Sequence, residues 1–264
     1  MTHALVLLGV AILVASLTMA LVWRASVKLR NAGIVDIAWA GLFAVLALVY
    51  AAFGAGDPLR RVVAGSLMIV WSIRLAAHLW RRVVGHLEVE DGRYAKLRES
   101  WGAAANRKML GFFLFQGATN VLLSVPILIA SLNDAPALRV VEIAAVGLWL
   151  VAVLGESIAD TQLRRFKARP ENRGKVCAEG LWRYSRHPNY FFDWLVWCSF
   201  FLFALGSPYG WISAYCPLLI LWFLYKVTGI PATEEQSLRT KGEAYRRYQR
   251  TTSPFIPWFP KEDR

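Results

Sequence analysis

The chain has 264 residues, 56% of them hydrophobic, and a formal net charge of +12. The apolar residues gather into runs of about 20, long enough to cross the ~30 Å hydrocarbon core, which excludes an ordinary soluble domain. The cations lie between those runs, so nucleic-acid binding is excluded as the source of the charge.

Seven spans are predicted, at 4–23, 34–53, 62–80, 109–131, 140–158, 190–206 and 210–228. The expected fold is therefore all-α and polytopic, one seven-helix membrane domain over 1–264. The first run has only His3 before it, and Arg24 and Lys28 after it. It reads as a retained helix, because a cleaved signal peptide carries its cations in front. Segments 24–33, 81–108, 160–189 and 229–264 hold 25 Lys and Arg residues, against three in 54–61 and 132–139. The positive-inside rule then predicts an outer N-terminus, a cytoplasmic C-terminus and cytoplasmic loops at 81–108, 160–189 and 229–264. A bacterial inner (plasma) membrane is the expected location.

Polar groups inside or beside the spans are the candidate functional residues, because a charge there is costly unless paired or used. Asp36 stands about one turn inside span two; it reads either as a functional carboxylate or as a cap on the helix dipole. Arg74 in span three shares a helix face with His78 and is placed to snorkel, to pair with Asp36 or to meet a ligand phosphate. Arg81 and Arg82 follow the topology rule alone. Residues 90–98 interleave charges with Tyr94 and predict a short surface helix. On it Arg93 and Tyr94 are candidate contacts for a phosphate or a flat heterocycle. Gln116 and Asn120, four apart in span four, read as interhelical glue or as cavity lining. Span five continues through Glu156, Asp160 and Arg164, one turn apart each, as an amphipathic extension.

The densest chemistry lies at 180–193, GLWRYSRHPNYFFD. Arg183, Tyr184, Arg186, His187, Asn189 and Tyr190 crowd cations, hydrogen-bond groups and rings at a membrane junction, as a polyanionic ligand requires. Pro188 lacks an N–H and biases His187 toward extended backbone, so a helix is predicted to begin there, with Asp193 in its first turn. After span seven, Gly229-Ile-Pro231 breaks the chain. Thr233 with Gln236 predicts a capping box for the next helix, which carries Glu234 and Glu235. The closing Pro254-Phe-Ile-Pro-Trp-Phe-Pro260 suits the membrane interface. Cys177, Cys198 and Cys216 show neither a pairing framework nor metal-ligand spacing.

The stretches VDIAW (35–39), WSIRL (71–75), EDGRY (90–94), ADTQL (159–163), GLWRYSRHPNYF (180–191) and GIPATEEQ (229–236) together resemble the DUF1295 family of steroid 5-alpha-reductase-like membrane enzymes. The resemblance covers nearly the whole chain. It implies seven transmembrane helices and an NADPH site in a cytoplasm-facing cavity. Asp160, Arg164, Tyr184, Asn189 and Asp193 match positions that hold the cofactor, Arg74 matches a nearby arginine, and Glu235 of the last stretch joins that set. Asp36 becomes the candidate catalytic acid. Two departures stand out: Phe192-Asp193 replaces a Gly-Glu pair, and Trp71 stands about where a tyrosine would pair with the acid. The latter argues against direct transfer of steroid specificity.

The implied activity is hydride transfer from NADPH to the β-carbon of a lipophilic enone that enters from the bilayer. The absence of a GxGxxG fingerprint excludes a Rossmann site. The alternative is an S-adenosylmethionine-dependent methyltransferase of the isoprenylcysteine carboxyl methyltransferase type, whose motif is looser but overlapping. A non-catalytic lipid-binding or scaffold protein is a third reading.

Overall fold

The computed structural model describes residues 2–85, 87–227 and 229–263, and no strand occurs among them. Ten α-helices follow in order: α1 Thr2–Leu29, α2 Ile34–Phe53, α3 Pro58–Val84, α4 Gly92–Trp101, α5 Ala105–Ser131, α6 Val140–Ala168, α7 Pro188–Ala204, α8 Tyr215–Lys226, α9 Ile230–Lys241 and α10 Glu243–Thr251. Six helical stretches among the described residues are long and apolar enough to cross a membrane: Thr2–Leu29, Ile34–Phe53, Pro58–Val84, Gly92–Ser131, Val140–Ala168 and Gly210–Lys241. The helix α7, with 17 residues, is at the short end of the ~17–25 that a span requires.

The helix ends follow local chemistry. At α3 the side chain of Asp57 accepts the N–H of Arg60, and Pro58 occupies the first turn, where a missing N–H is harmless. Asp91 caps α4 in the same way through the N–H of Arg93. Helix α7 starts at Pro188, as its sequence predicts. Asp193 is the sixth residue of α7 and so sits in its second turn. The capping box at Thr233 is a correction. Helix α9 begins at Ile230 with Pro231 in its first turn, and the Thr233 hydroxyl donates back to the carbonyl of Gly229 inside the helix. The last span also differs, since residues 210–214 form a 3-10 turn before α8.

The chain forms two compact units, Met1–Val140 with Phe203–Ser213, and Val141–Leu202 with Ala214–Arg264. In the first, Phe43, Leu46 and Tyr50 of α2 are buried, as are Met68 and Trp71 of α3. Polar struts fix the helix pairs: the Ser72 hydroxyl donates to Ala40 O (2.5 Å) and Asn120 Nδ2 donates to Trp39 O (2.9 Å). Asn120 therefore acts as interhelical glue. At the far end the fully buried Arg60 donates to the carbonyls of Asn133, Ala135 and Ala137 (3.2, 2.5 and 2.5 Å), tying the loop after α5 to α3.

In the second unit, Trp182, Phe166 and Cys177 form a small buried cluster that pins the loop before α7 to the end of α6. Trp182 Nε1 donates to Ala159 O (2.9 Å), and the buried Tyr248 hydroxyl donates to Trp182 O. Burial raises the pKa of Tyr248, so it remains a neutral donor.

Candidate functional site

In the first unit the site is built around Asp36, in the first turn of α2, whose side chain is 15% exposed. Its carboxylate accepts the Tyr94 hydroxyl (2.5 Å), Arg93 Nη2 (2.8 Å) and Arg82 Nη2 (3.0 Å). Tyr94 is buried, and the Arg93 guanidinium lies 5.2 Å from the centre of its ring. Arg93 also donates to Asp91 from Nε and Nη2, both at 3.0 Å. The cap on α4 thus aims Arg93 and Tyr94 together at one carboxylate.

The sequence brought Asp36, Arg93 and Tyr94 forward, and the structure joins them. It missed Arg82, which passed as a topology cation. Arg82 and Arg93 both donate to Asp36; Arg74 is the arginine that the sequence had offered. Arg74 lies half-buried on α3, two turns before Arg82.

A strut missed by sequence holds this assembly. Glu90 accepts Arg98 Nε and Nη2 (3.0 and 2.9 Å) and the N–H of Ala32 (2.8 Å), just before α2. Burial works to raise its pKa, but the bonds from Arg98 and Ala32 outweigh it and hold the carboxyl below the ordinary range. Asp91 is lowered too, with burial opposed by its bonds from Arg93.

In the second unit the 183–190 stretch divides into two faces. Arg186 and His187 turn inward. Arg186 Nε lies 2.7 Å from Glu234 Oε1, its Nη1 donates to Gln249 O (2.7 Å), and His187 Nε2 lies 3.3 Å from the same carboxylate oxygen. Gln249 Nε2 donates to the other oxygen, Glu234 Oε2, at 2.9 Å. His187 is 3% exposed and stacks on Tyr190 at 5.3 Å, while the Tyr190 hydroxyl meets Thr233 Oγ1 at 3.2 Å. These contacts brace α7 against α9 and α10. Glu234, the hub, is a third residue that sequence reading overlooked. Its neighbour Glu235 is on the exposed face of α9, paired with Arg239.

Arg183 is exposed at the end of a 3-10 turn, and Tyr184 is half-buried. Asn189 donates to Asp160 Oδ1 (3.3 Å), while its own Oδ1 is buried with no hydrogen-bond partner among the described residues. An orphaned amide oxygen is expensive, about 1–3 kcal/mol, and suits a ligand N–H donor. Arg164 donates to Thr161 Oγ1 (3.2 Å), and Asp193 is half-buried on α7.

Beside these residues is an open groove of about 450 Å³, lined by Leu154, Gly155, Ile158 and Gln162 of α6, with Tyr184 and Phe192. Two glycines shape it. A Cβ at Gly155 would lie 2.4 Å from the Phe192 ring. Gly180, at φ +58°, leaves room for the Gln162 side chain, whose Oε1 accepts the N–H of Leu181 at 2.9 Å.

Residues 22–252 match the profile of DUF1295, described as a protein of unknown function. The chain belongs to the DUF1295 family. That family is steroid 5-alpha-reductase-like. An uncharacterized protein of Schizosaccharomyces pombe is 27% identical over 267 residues, an alignment covering 89% of this chain and 75% of the relative. No solved structure matches the chain. The matched DUF1295 region contains both polar centres, from Asp36 to Gln249.

Proposed function

We propose that this DUF1295 chain is an NADPH-dependent membrane reductase of the C=C bond of a lipophilic enone. The observation that carries the reading is the Tyr94 hydroxyl 2.5 Å from Asp36. Two donors, the Tyr94 O–H and the Arg93 guanidinium, converge on that carboxylate. A carbonyl oxygen admitted beside it takes the place of the carboxylate as their acceptor. As electrons move onto the oxygen the same donors stabilise the enolate, the role of an oxyanion hole. Asp36 keeps the phenol oriented, and Arg82 holds the Asp36 carboxylate in place. Bound NADPH would supply the hydride, which adds to the β-carbon, and the α-carbon then takes a proton from solvent.

The residues of the second unit suit that cofactor. Asn189 Oδ1 offers an acceptor for the carboxamide N–H, and Arg183 and Arg164 offer cations for its phosphates. Arg186 and His187 act one step back, by holding the loop. The reading includes seven spans, α7 being counted with the six long apolar stretches, an outer N-terminus and a cytoplasmic cofactor side in a bacterial plasma membrane.

Thermal unfolding of purified protein with NADPH, NADH or S-adenosylmethionine tests the assignment. NADPH at about 100 times its Kd stabilises a one-site protein by about 2.7 kcal/mol, which raises the midpoint measurably. Asn189→Ala should remove that shift. A shift with S-adenosylmethionine alone would replace this reading with the methyltransferase.

A further inference from the structure

The C-terminal segment 253–261 runs back along the loop that leads into α7. The Arg186 N–H donates to Ser253 O (2.8 Å), the Ser185 hydroxyl to Phe255 O (2.7 Å), and the Trp258 N–H to Tyr184 O (2.9 Å). The Lys261 N–H closes the segment onto Thr251 O at 2.8 Å. Ser185 in turn accepts the His187 N–H at 3.1 Å. Three consecutive residues of the 184–187 loop are therefore bonded to a segment that follows the last helix.

The depth of the segment is fixed by Phe255, which is 3% exposed. Its ring packs on Phe191, Trp194 and Tyr225, at 5.7, 5.9 and 5.3 Å. Phe191 and Trp194 lie in the first two turns of α7, and Tyr225 in the last turn of α8. The segment thus sits where two apolar helices end. There Ile256, Trp258 and Phe259 are 59%, 67% and 75% exposed. Bulky apolar and aromatic side chains left open at the end of apolar helices, with Lys261 beside them, match the headgroup–acyl boundary of a bilayer.

We propose that 253–261 is an interfacial strap. Ile256, Trp258 and Phe259 dock into the bilayer surface, and the backbone of the same segment holds Tyr184, Ser185 and Arg186 in register. Contact with lipid thereby sets the order of the 184–187 loop. Only the consequence for nucleotide binding rests on the reductase reading.

Hydrogen exchange on the full chain in phosphatidylcholine–phosphatidylglycerol nanodiscs tests this without any nucleotide, so failure of the strap and failure of the reductase reading are told apart. In Trp258→Ser/Phe259→Ser the amides of Arg186 and Trp258 should exchange about tenfold faster than in wild type, with α2 and α3 unchanged. Trp258→Leu/Phe259→Leu, which keeps the apolar surface, should exchange as wild type. Unchanged exchange in the serine variant would overturn the strap; equal loosening in the leucine variant would overturn its docking to lipid. If the double serine variant does not fold, Phe259→Ser carries the same comparison. A fluorophore on Phe259→Cys should be quenched by nitroxide placed near the lipid headgroups, and absence of quenching would also overturn docking.

Discussion

Two carboxylates organise two polar clusters, and they differ in what surrounds them. Asp36 is approached by Arg82 and Arg93, which are 51% and 44% exposed. Glu234 is approached by Arg186 and His187, which are 11% and 3% exposed. The exposed pair can exchange partners with an incoming ligand, because water already competes for those guanidiniums. The buried pair cannot, since every bond it breaks leaves a desolvated group. A carboxylate with basic neighbours is therefore open to a ligand in one unit, where the proposed reaction would take place, and acts as a brace in the other.

The largest effect should come from breaking the brace. Glu234→Ala leaves the buried Arg186 without its counter-charge and His187 without its acceptor, and should lower stability by about 3–5 kcal/mol in denaturant unfolding. Glu235→Ala, one residue on but exposed, should change it by less than about 1 kcal/mol. Equal effects would erase the contrast between the two faces of α9. Next comes Tyr94→Phe, which should lower turnover about 10²–10³-fold, as removal of an oxyanion donor does, while nucleotide binding persists. Its stability cost should be only about 1 kcal/mol, one hydrogen bond. Unchanged turnover would move the chemistry away from Asp36. Arg82→Ala is smaller, about 1 kcal/mol or less, because that arginine is half exposed.

The smallest effect is pH-dependent. Glu90 and Asp91 have folded pKa values below their ordinary ones, so their stabilising contribution is complete above about pH 5. It is lost as pH falls through the folded values. Glu90→Gln should therefore flatten the acid arm of a stability–pH profile and leave its neutral part parallel to wild type. An unchanged acid arm would mean that the Glu90 strut does not hold α4 to α2.

Much of this was legible in the sequence because its causes are local. Span positions follow from hydropathy, and the start of α7 follows from the fixed φ of Pro188. Asp36, Arg93 and Tyr94 were legible as costly or unusual groups near a membrane boundary. Their meeting was not, because it depends on the rotation of α2 and α3 about their axes. That rotation brings Arg82, two turns beyond Arg74, to the carboxylate. Glu234 was hidden for the same reason: only the packing of α9 distinguishes it from Glu235. Thr233 shows a local rule losing to a stronger one, since Pro231 sits in the first turn of a helix that begins at Ile230, three residues before the expected cap.

The most direct test of the reductase reading follows an isotope. Purified protein in nanodiscs would be given NADPH carrying deuterium at the nicotinamide C4, with a lipophilic enone, and the lipid product analysed by mass spectrometry. One deuterium is expected at the β-carbon of the saturated product, and its loss in Tyr94→Phe. Saturated product without deuterium, or methylated lipid formed instead from S-adenosylmethionine, would contradict it.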